Sequence, residues 1–143
     1  MISEQLFTTL LYSWIALAII TFPVLLRITA PYGRHTTNTW GPTLNNKFGW
    51  ILMEAPVVII FSWFFFTGNA EKSIPVFIIY GLFMLHYANR IFIFPFRMKT
   101  AGKKMPWSIV IMAIFFNLFN GFFNGYWFGT LSPSYPISWL YDP

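Results

Sequence analysis

The sequence contains no cysteine, which excludes a disulfide framework, a thiolate metal site and a cysteine nucleophile. Acidic residues are nearly as scarce: Asp and Glu together number 4, and Asp142 is the sole aspartate. A Ser-His-Asp arrangement has little to draw on, and no Gly-x-Ser-x-Gly elbow is present. Neither a Rossmann fingerprint nor a P-loop occurs. Charge of either sign is thin. Only 9% of the 143 residues are Asp, Glu, Lys or Arg, against roughly a quarter in soluble domains. So few charges cannot coat a water-facing surface. Alternation with period two is missing, which argues against a membrane β-barrel. No internal repeat or low-complexity block is visible.

What fills the chain is apolar. Hydrophobic residues make up 57% and aromatic residues 22%, with a mean hydropathy of +0.59. Such a composition excludes disorder and leaves an integral membrane protein. Four runs approach the roughly 20 apolar residues that cross a bilayer as a helix: residues 6–26, 48–66, 74–96 and 107–129. The expected fold is therefore all-α, with four transmembrane helices in a single membrane domain over residues 1–143. The first run is preceded by Glu4 and by no Lys or Arg. It is long for a signal-peptide core and no small-x-small cleavage site follows, so it reads as a retained helix.

The net charge is +5, and its distribution sets an expected orientation. The first connection holds Arg27, Arg34 and Lys47, and the third holds Arg97, Lys99, Lys103 and Lys104. The second holds only Glu71 and Lys72, and the ends carry Glu4 and Asp142. The positive-inside rule places the connections 27–47 and 97–106 in the cytoplasm, with both ends of the chain on the opposite face. In a soluble chain such an excess would raise nucleic-acid binding. Here the basic residues lie between apolar runs, as in the cytoplasmic loops of membrane proteins, so the expected partners are membrane lipids rather than nucleic acid; the apolar small-molecule partner is implied by the site and the resemblance given below. Trp40, Trp107, Trp127 and Trp139 fall near span ends, where interfacial aromatics belong.

Ionisable groups inside a membrane helix are costly and are functional candidates by default. Glu54 lies in the second span, and His86 and Arg90 in the third. At the helical rise per residue, Glu54 and Arg90 each sit roughly 9 Å from the basic face and Tyr87 about 13 Å. The three share a layer if their helices are neighbours. Pro56 removes a backbone donor close to that layer and favours a kink. A Glu and an Arg at one depth also have a plainer use, neutralising each other and pinning two helices. His86, one turn before Arg90, has no second His or carboxylate at metal spacing, and no metal is expected.

The fourth span carries Asn117, Asn120 and Asn124 together with Gly121, Gly125 and Gly129. These form overlapping small-xxx-small repeats, with amides as interhelical glue, or an amide-lined wall facing a polar ligand. Both readings hold for different sides of one helix. A chemistry follows from the Glu54 and Tyr87 pair. Burial disfavours a charged carboxylate. A neutral Glu54 and the Tyr87 phenol would then be two donors aimed at one point, able to stabilise an oxyanion developing on a carbonyl. That role requires Arg90 to pair elsewhere, for instance with an anionic cofactor.

Five short motifs occur in order: Tyr32-Gly33-Arg34-His35-Thr36, Trp50-x-x-x-Glu54-x-Pro56, His86-Tyr87-x-x-Arg90, Gly102-Lys103-Lys104-Met105-Pro106 and Asn120-Gly121. Together they resemble the steroid 5α-reductase (3-oxo-5α-steroid 4-dehydrogenase) family, and the likeness covers nearly all the chain after the first span. The resemblance implies a membrane enzyme of roughly seven helices that uses NADPH to reduce the double bond of an α,β-unsaturated ketone. Hydride would reach the β-carbon while Glu54 and Tyr87 hold the ketone oxygen. The family's tryptophan beside the nicotinamide falls on Trp50, and Phe116, Asn117 and Asn120 fall along the cofactor, with Arg90 and His86 in support. Met53 stands where animal relatives often carry Gln. The family continues past a comparable Asp-Pro region into helices that bind most of the nucleotide. The present chain is thus expected to be the amino-terminal half, lacking turnover by itself. The main rival is a small transporter or assembly subunit using Glu54, His86 and Arg90 as a proton or ion relay and the glycine stripe as an oligomer interface. A membrane methyltransferase would need a sulfonium-cofactor motif, and none is seen.

Overall fold

The computed structural model describes residues 2–29, 35, 40–99 and 102–141. Of the first motif only His35 falls within these residues; Tyr32, Gly33, Arg34 and Thr36 lie outside them, as does Asp142. Among the described residues four helices are long and apolar enough to cross a bilayer: α1 (Glu4–Arg27), α2 (Asn46–Thr67), α3 (Ile74–Arg97) and α4 (Trp107–Leu131). Each end falls within two residues of the expected span.

The helix ends follow local chemistry. The Ser3 hydroxyl accepts the Leu6 N–H at 3.2 Å and opens α1, with Glu4 in its first turn and Arg27 in its last; both charges suit the helix dipole. Asn45 opens α2 by accepting from the N–H groups of Lys47 and Phe48. Between the first and second helices lies β1 (Thr43–Asn45), which pairs antiparallel with β2 (Lys104–Pro106) just before α4. The all-α expectation omits this short ribbon, because three-residue strands leave no periodic signal. It joins the first and third connections at one end of the bundle, as the four-span topology requires.

Packing is organised around α2. Val57, Phe61 and Phe65 are fully buried along it. On one side α3 supplies Tyr80 and Phe83, whose rings lie 5.4 and 4.2 Å from Phe61. On the other side the glycines of α4 bring the two backbones together. A Cβ at Gly121 would lie 2.8 Å from the Val57 carbonyl oxygen, and one at Gly125 2.7 Å from that of Phe61. The glycine stripe is thus used within the chain, for close α2–α4 packing, and not as an interface between copies.

Helix α1 is held mainly through its amino-terminal half. Phe7 is buried against Phe123 and Tyr126, and Trp14 stacks on Phe119 with ring centres 4.5 Å apart. The Tyr126 hydroxyl donates to the Ile2 carbonyl at 2.8 Å. Its later residues, from Leu17 to Leu26, are exposed. At the end of the bundle away from the ribbon, the Lys72 ammonium donates to the carbonyls of Gly68, Ala70 and Gly129 at 2.5, 2.7 and 3.0 Å. One cation thereby closes the last turn of α2 onto the last turn of α4.

Candidate functional site

A cavity of about 530 Å³ opens between α2, α3 and α4, with Leu25 of α1 at its edge. Trp50, Met53 and Glu54 line it from α2, His86, Tyr87 and Arg90 from α3, and Phe116 and Asn117 from α4. Seven of the eight residues expected at the site therefore meet in one place. The eighth, Asn120, donates its amide N–H to the Tyr87 hydroxyl oxygen at 2.7 Å.

The arrangement corrects one expectation. Arg90 meets Glu54 directly: its Nη2 donates to Glu54 Oε1 in a salt bridge. Glu54 is only 4% exposed, and in so dry a layer the nearest opposite charge is the cheapest partner. Glu54 Oε1 here accepts its hydrogen bond from the guanidinium. The Arg90 side chain keeps 33% exposure, and its guanidinium also lies 5.0 Å over the Trp50 ring. The pair thus presents its positive member to the cavity edge and buries its negative one.

Local backbone explains how Tyr87 and Arg90 come to share a wall. Pro95 has no N–H and its ring displaces the carbonyl one turn back. The helix answers with a π turn over Asn89–Ile93, in which the Phe94 N–H reaches the Asn89 carbonyl. In α2, Pro56 likewise has no N–H for the Leu52 carbonyl, while the neighbouring Met53 carbonyl accepts from Asn117 Nδ2 at 2.6 Å. The two prolines are readable in the sequence; the π turn that one of them produces is not.

The amide stripe resolves into single tasks. Asn117 is buried on Met53, Asn120 serves Tyr87, and Asn124 Nδ2 reaches the backbone and side-chain oxygens of Asn120, both at 2.9 Å. Asn124 is not among the residues that the sequence assigns to the site. Its spacing of four from Asn120 is the signal that points to it. His86 lies at the outer edge of the cavity and is largely exposed, its ring edge-on to Tyr87 at 5.1 Å. One donor stands out: the Trp50 indole N–H is buried with no hydrogen-bond partner among the described residues. That orphan donor, the Phe116 ring and Asn117 fit the carboxamide-bearing ring of a nicotinamide nucleotide. Such a ring needs flat apolar walls and a donor for its amide oxygen.

No family model matches the chain. Among curated proteins it is 33% identical over 141 residues to steroid 5-alpha-reductase DET2 of Gossypium hirsutum, covering 94% of this chain and 54% of that one. The protein of the same name from Arabidopsis thaliana is 31% identical over 118 residues, covering 78% of this chain and 45% of that one. Human 3-oxo-5-alpha-steroid 4-dehydrogenase 1 is 28% identical over 142 residues, covering 98% and 54%. The chain spans about half the length of the curated relatives it matches. Over that length it is thus similar to proteins named steroid 5-alpha-reductase and 3-oxo-5-alpha-steroid 4-dehydrogenase.

Proposed function

We propose that the protein takes part in NADPH-dependent reduction of the C=C bond of an α,β-unsaturated ketone, a 3-oxo-4-ene steroid or a similar lipid. The observation that carries this reading is the meeting of Glu54, Tyr87 and Arg90 on one cavity between apolar helices, in a chain whose homologues are steroid 5-alpha-reductases. When bound, NADPH supplies a hydride to the carbon β to the carbonyl. Trp50, Phe116 and Asn117 would hold its nicotinamide end. Negative charge then gathers on the carbonyl oxygen, and donors aimed at that oxygen lower the barrier.

Glu54 and Tyr87 flank the oxygen in this proposal. Tyr87 gives it a hydrogen bond. Glu54, ion-paired, acts by anchoring the Arg90 guanidinium as the second, positively charged donor. The apolar remainder of the cavity, Met53, Ile109, Met112 and Phe116 among its walls, excludes water and accepts a hydrocarbon body without discriminating strongly among such bodies. We further propose that these helices form the first part of a bundle of roughly seven, with the ribbon end and its basic connections on the cytoplasmic side. The excess of Lys and Arg there supports that orientation. A proton or ion relay through Glu54, His86 and Arg90 has less support, because the Glu54 charge is already matched within the bundle.

The test is a pair of substitutions in the protein at its natural length, with NADPH oxidation measured against a 4-en-3-one. Tyr87→Phe and Glu54→Gln are each expected to lower turnover at least tenfold while substrate binding stays within a few-fold. Gln keeps a hydrogen-bond donor in place of Glu54 but cannot anchor a cation. Full turnover in Glu54→Gln would therefore refute the anchoring role, and full turnover in Tyr87→Phe would refute the phenol as the carbonyl's partner.

A further inference from the structure

The direction of every hydrogen bond behind Tyr87 follows from one peptide carbonyl. Asn124 Nδ2 lies 2.9 Å from the Asn120 backbone oxygen and 2.9 Å from the Asn120 side-chain oxygen. A peptide oxygen only accepts, so the Asn124 atom facing it must be the amide nitrogen. The two hydrogens on that nitrogen then serve the two Asn120 oxygens. It follows that the Asn120 side-chain atom turned toward Asn124 is oxygen, and the one turned toward Tyr87, at 2.7 Å, is nitrogen. An amide nitrogen does not accept. The Tyr87 oxygen therefore accepts from Asn120 and keeps its own single proton for another partner. Among the described residues that proton has no acceptor, and Tyr87 lines the cavity.

We infer that Asn124 and Asn120 form a polarity lock that commits the Tyr87 proton to the acceptor oxygen of a bound ligand, with Asn124 as a positioning residue acting through Asn120. The lock rests on the reading of Tyr87 as the carbonyl's donor. Its physical content is a choice between two states. With Asn124 in place, the Asn120 amide has one orientation and the phenol is a donor to the cavity. Without it, the amide is free to turn over and present its oxygen to Tyr87. The phenol then donates inward, and the ligand loses its hydrogen bond although no residue touching it has changed. Both amides lie on α4, which is held against α2 by the glycine contacts, so the relay rides on a rigid element.

The experiment uses the protein at its natural length in nanodiscs, with ring-labelled tyrosine and infrared detection of the phenol C–O stretch. The Tyr87 band is identified by its loss in Tyr87→Phe. Asn124→Leu is expected to shift that band toward the position of a phenol donating to an amide. Asn124→Thr is read in parallel, since its single hydroxyl proton goes to the Asn120 backbone oxygen and leaves the side-chain oxygen unclamped. In turnover, either Asn124 variant is expected to lose about tenfold in kcat with KM within twofold. Placed on Tyr87→Phe, it should cause no further loss, because it acts only through the phenol. A band that stays in place in both variants overturns the lock. Equal kinetic losses with and without Tyr87 overturn the positioning role and leave the carbonyl reading intact. Full turnover in Tyr87→Phe overturns the carbonyl reading, and the band then judges the lock alone.

Discussion

Adding one methyl group to the chain should have opposite effects at two glycines. At Gly129 a Cβ would lie 2.1 Å from the Phe64 carbonyl oxygen and 3.1 Å from the Phe65 Cα. Ordinary contact begins at 3.4 Å, so the first clash is short by about 1.3 Å. The obstacle is the backbone of α2, which has no rotamer to change, so α4 itself must move. Overpacking of this kind costs about 1–3 kcal/mol, and the upper part applies where backbone meets backbone. The Gly129 carbonyl also accepts from the Ala70 N–H at 2.8 Å and from Lys72 Nζ at 3.0 Å. Disturbing these adds about 1 kcal/mol, for an expected loss of about 3–4 kcal/mol in Gly129→Ala. At Gly81, inside α3, an added methyl would have nothing within 4 Å among the described residues. There alanine only reduces backbone freedom, and Gly81→Ala should gain about 0.5–1 kcal/mol. Both variants are compared with the parent chain by denaturant titration in mixed micelles, followed by tryptophan fluorescence. A parent-like midpoint for Gly129→Ala, or a larger loss at Gly81 than at Gly129, would show that the helices are not held by the glycine contacts.

Other perturbations separate the site from its scaffold. Gly121→Ala meets the Val57 carbonyl at 2.8 Å beside Asn120, so it should lower stability and turnover together; turnover retained at reduced stability would contradict the coupling of α4 packing to Tyr87. Arg90→Met leaves the buried Glu54 carboxylate without its cation and should cost about 1–3 kcal/mol, discounted for the partial exposure of Arg90. Part of that loss should return in the Glu54→Gln/Arg90→Met double variant, read as a thermodynamic cycle; an additive result would mean the pair contributes nothing as a pair. Lys72→Met deprives three carbonyls of a donor and should cost about 1 kcal/mol in midpoint stability, with turnover unchanged.

The spans and the shared layer of Glu54, Tyr87 and Arg90 can be read from the chain because hydropathy and helical rise are local quantities. Two expectations depend on something else. Whether Arg90 meets Glu54 is decided by which faces of α2 and α3 are turned together. The π turn ahead of Pro95 sets the α3 side of that orientation, and it leaves no mark in depth alone. The task of each asparagine is hidden for a similar reason: Asn117, Asn120 and Asn124 are alike in sequence. Their partners, the Met53 carbonyl, the Tyr87 phenol and Asn120 itself, are chosen by residues on other helices or one turn away. The ribbon of β1 and β2 joins segments about 60 residues apart, which no local pattern announces.

The position of the polar layer in the bundle has a physical cause. A membrane helix satisfies its own backbone and offers its neighbours little to bond. Near Glu54 that self-sufficiency is broken twice, by Pro56 in α2 and by Pro95 in α3, each of which has no N–H to give the turn before it. Spare carbonyls and a widened turn arise at one depth, and there amides and charges find partners inside an otherwise apolar core. If this is the cause, the site should be sensitive to proline removal at a distance from any ligand. Pro95→Ala would let α3 relax from its π turn into regular helix, rotating Arg90 relative to Tyr87 without touching either. The expected outcome is a helix at least as stable as the parent, in which the Arg90–Glu54 contact is weakened and turnover at natural length falls. The double-variant cycle between positions 54 and 90, repeated on the Pro95→Ala background, measures that weakening. A coupling unchanged from the parent would mean that the π turn does not position Arg90.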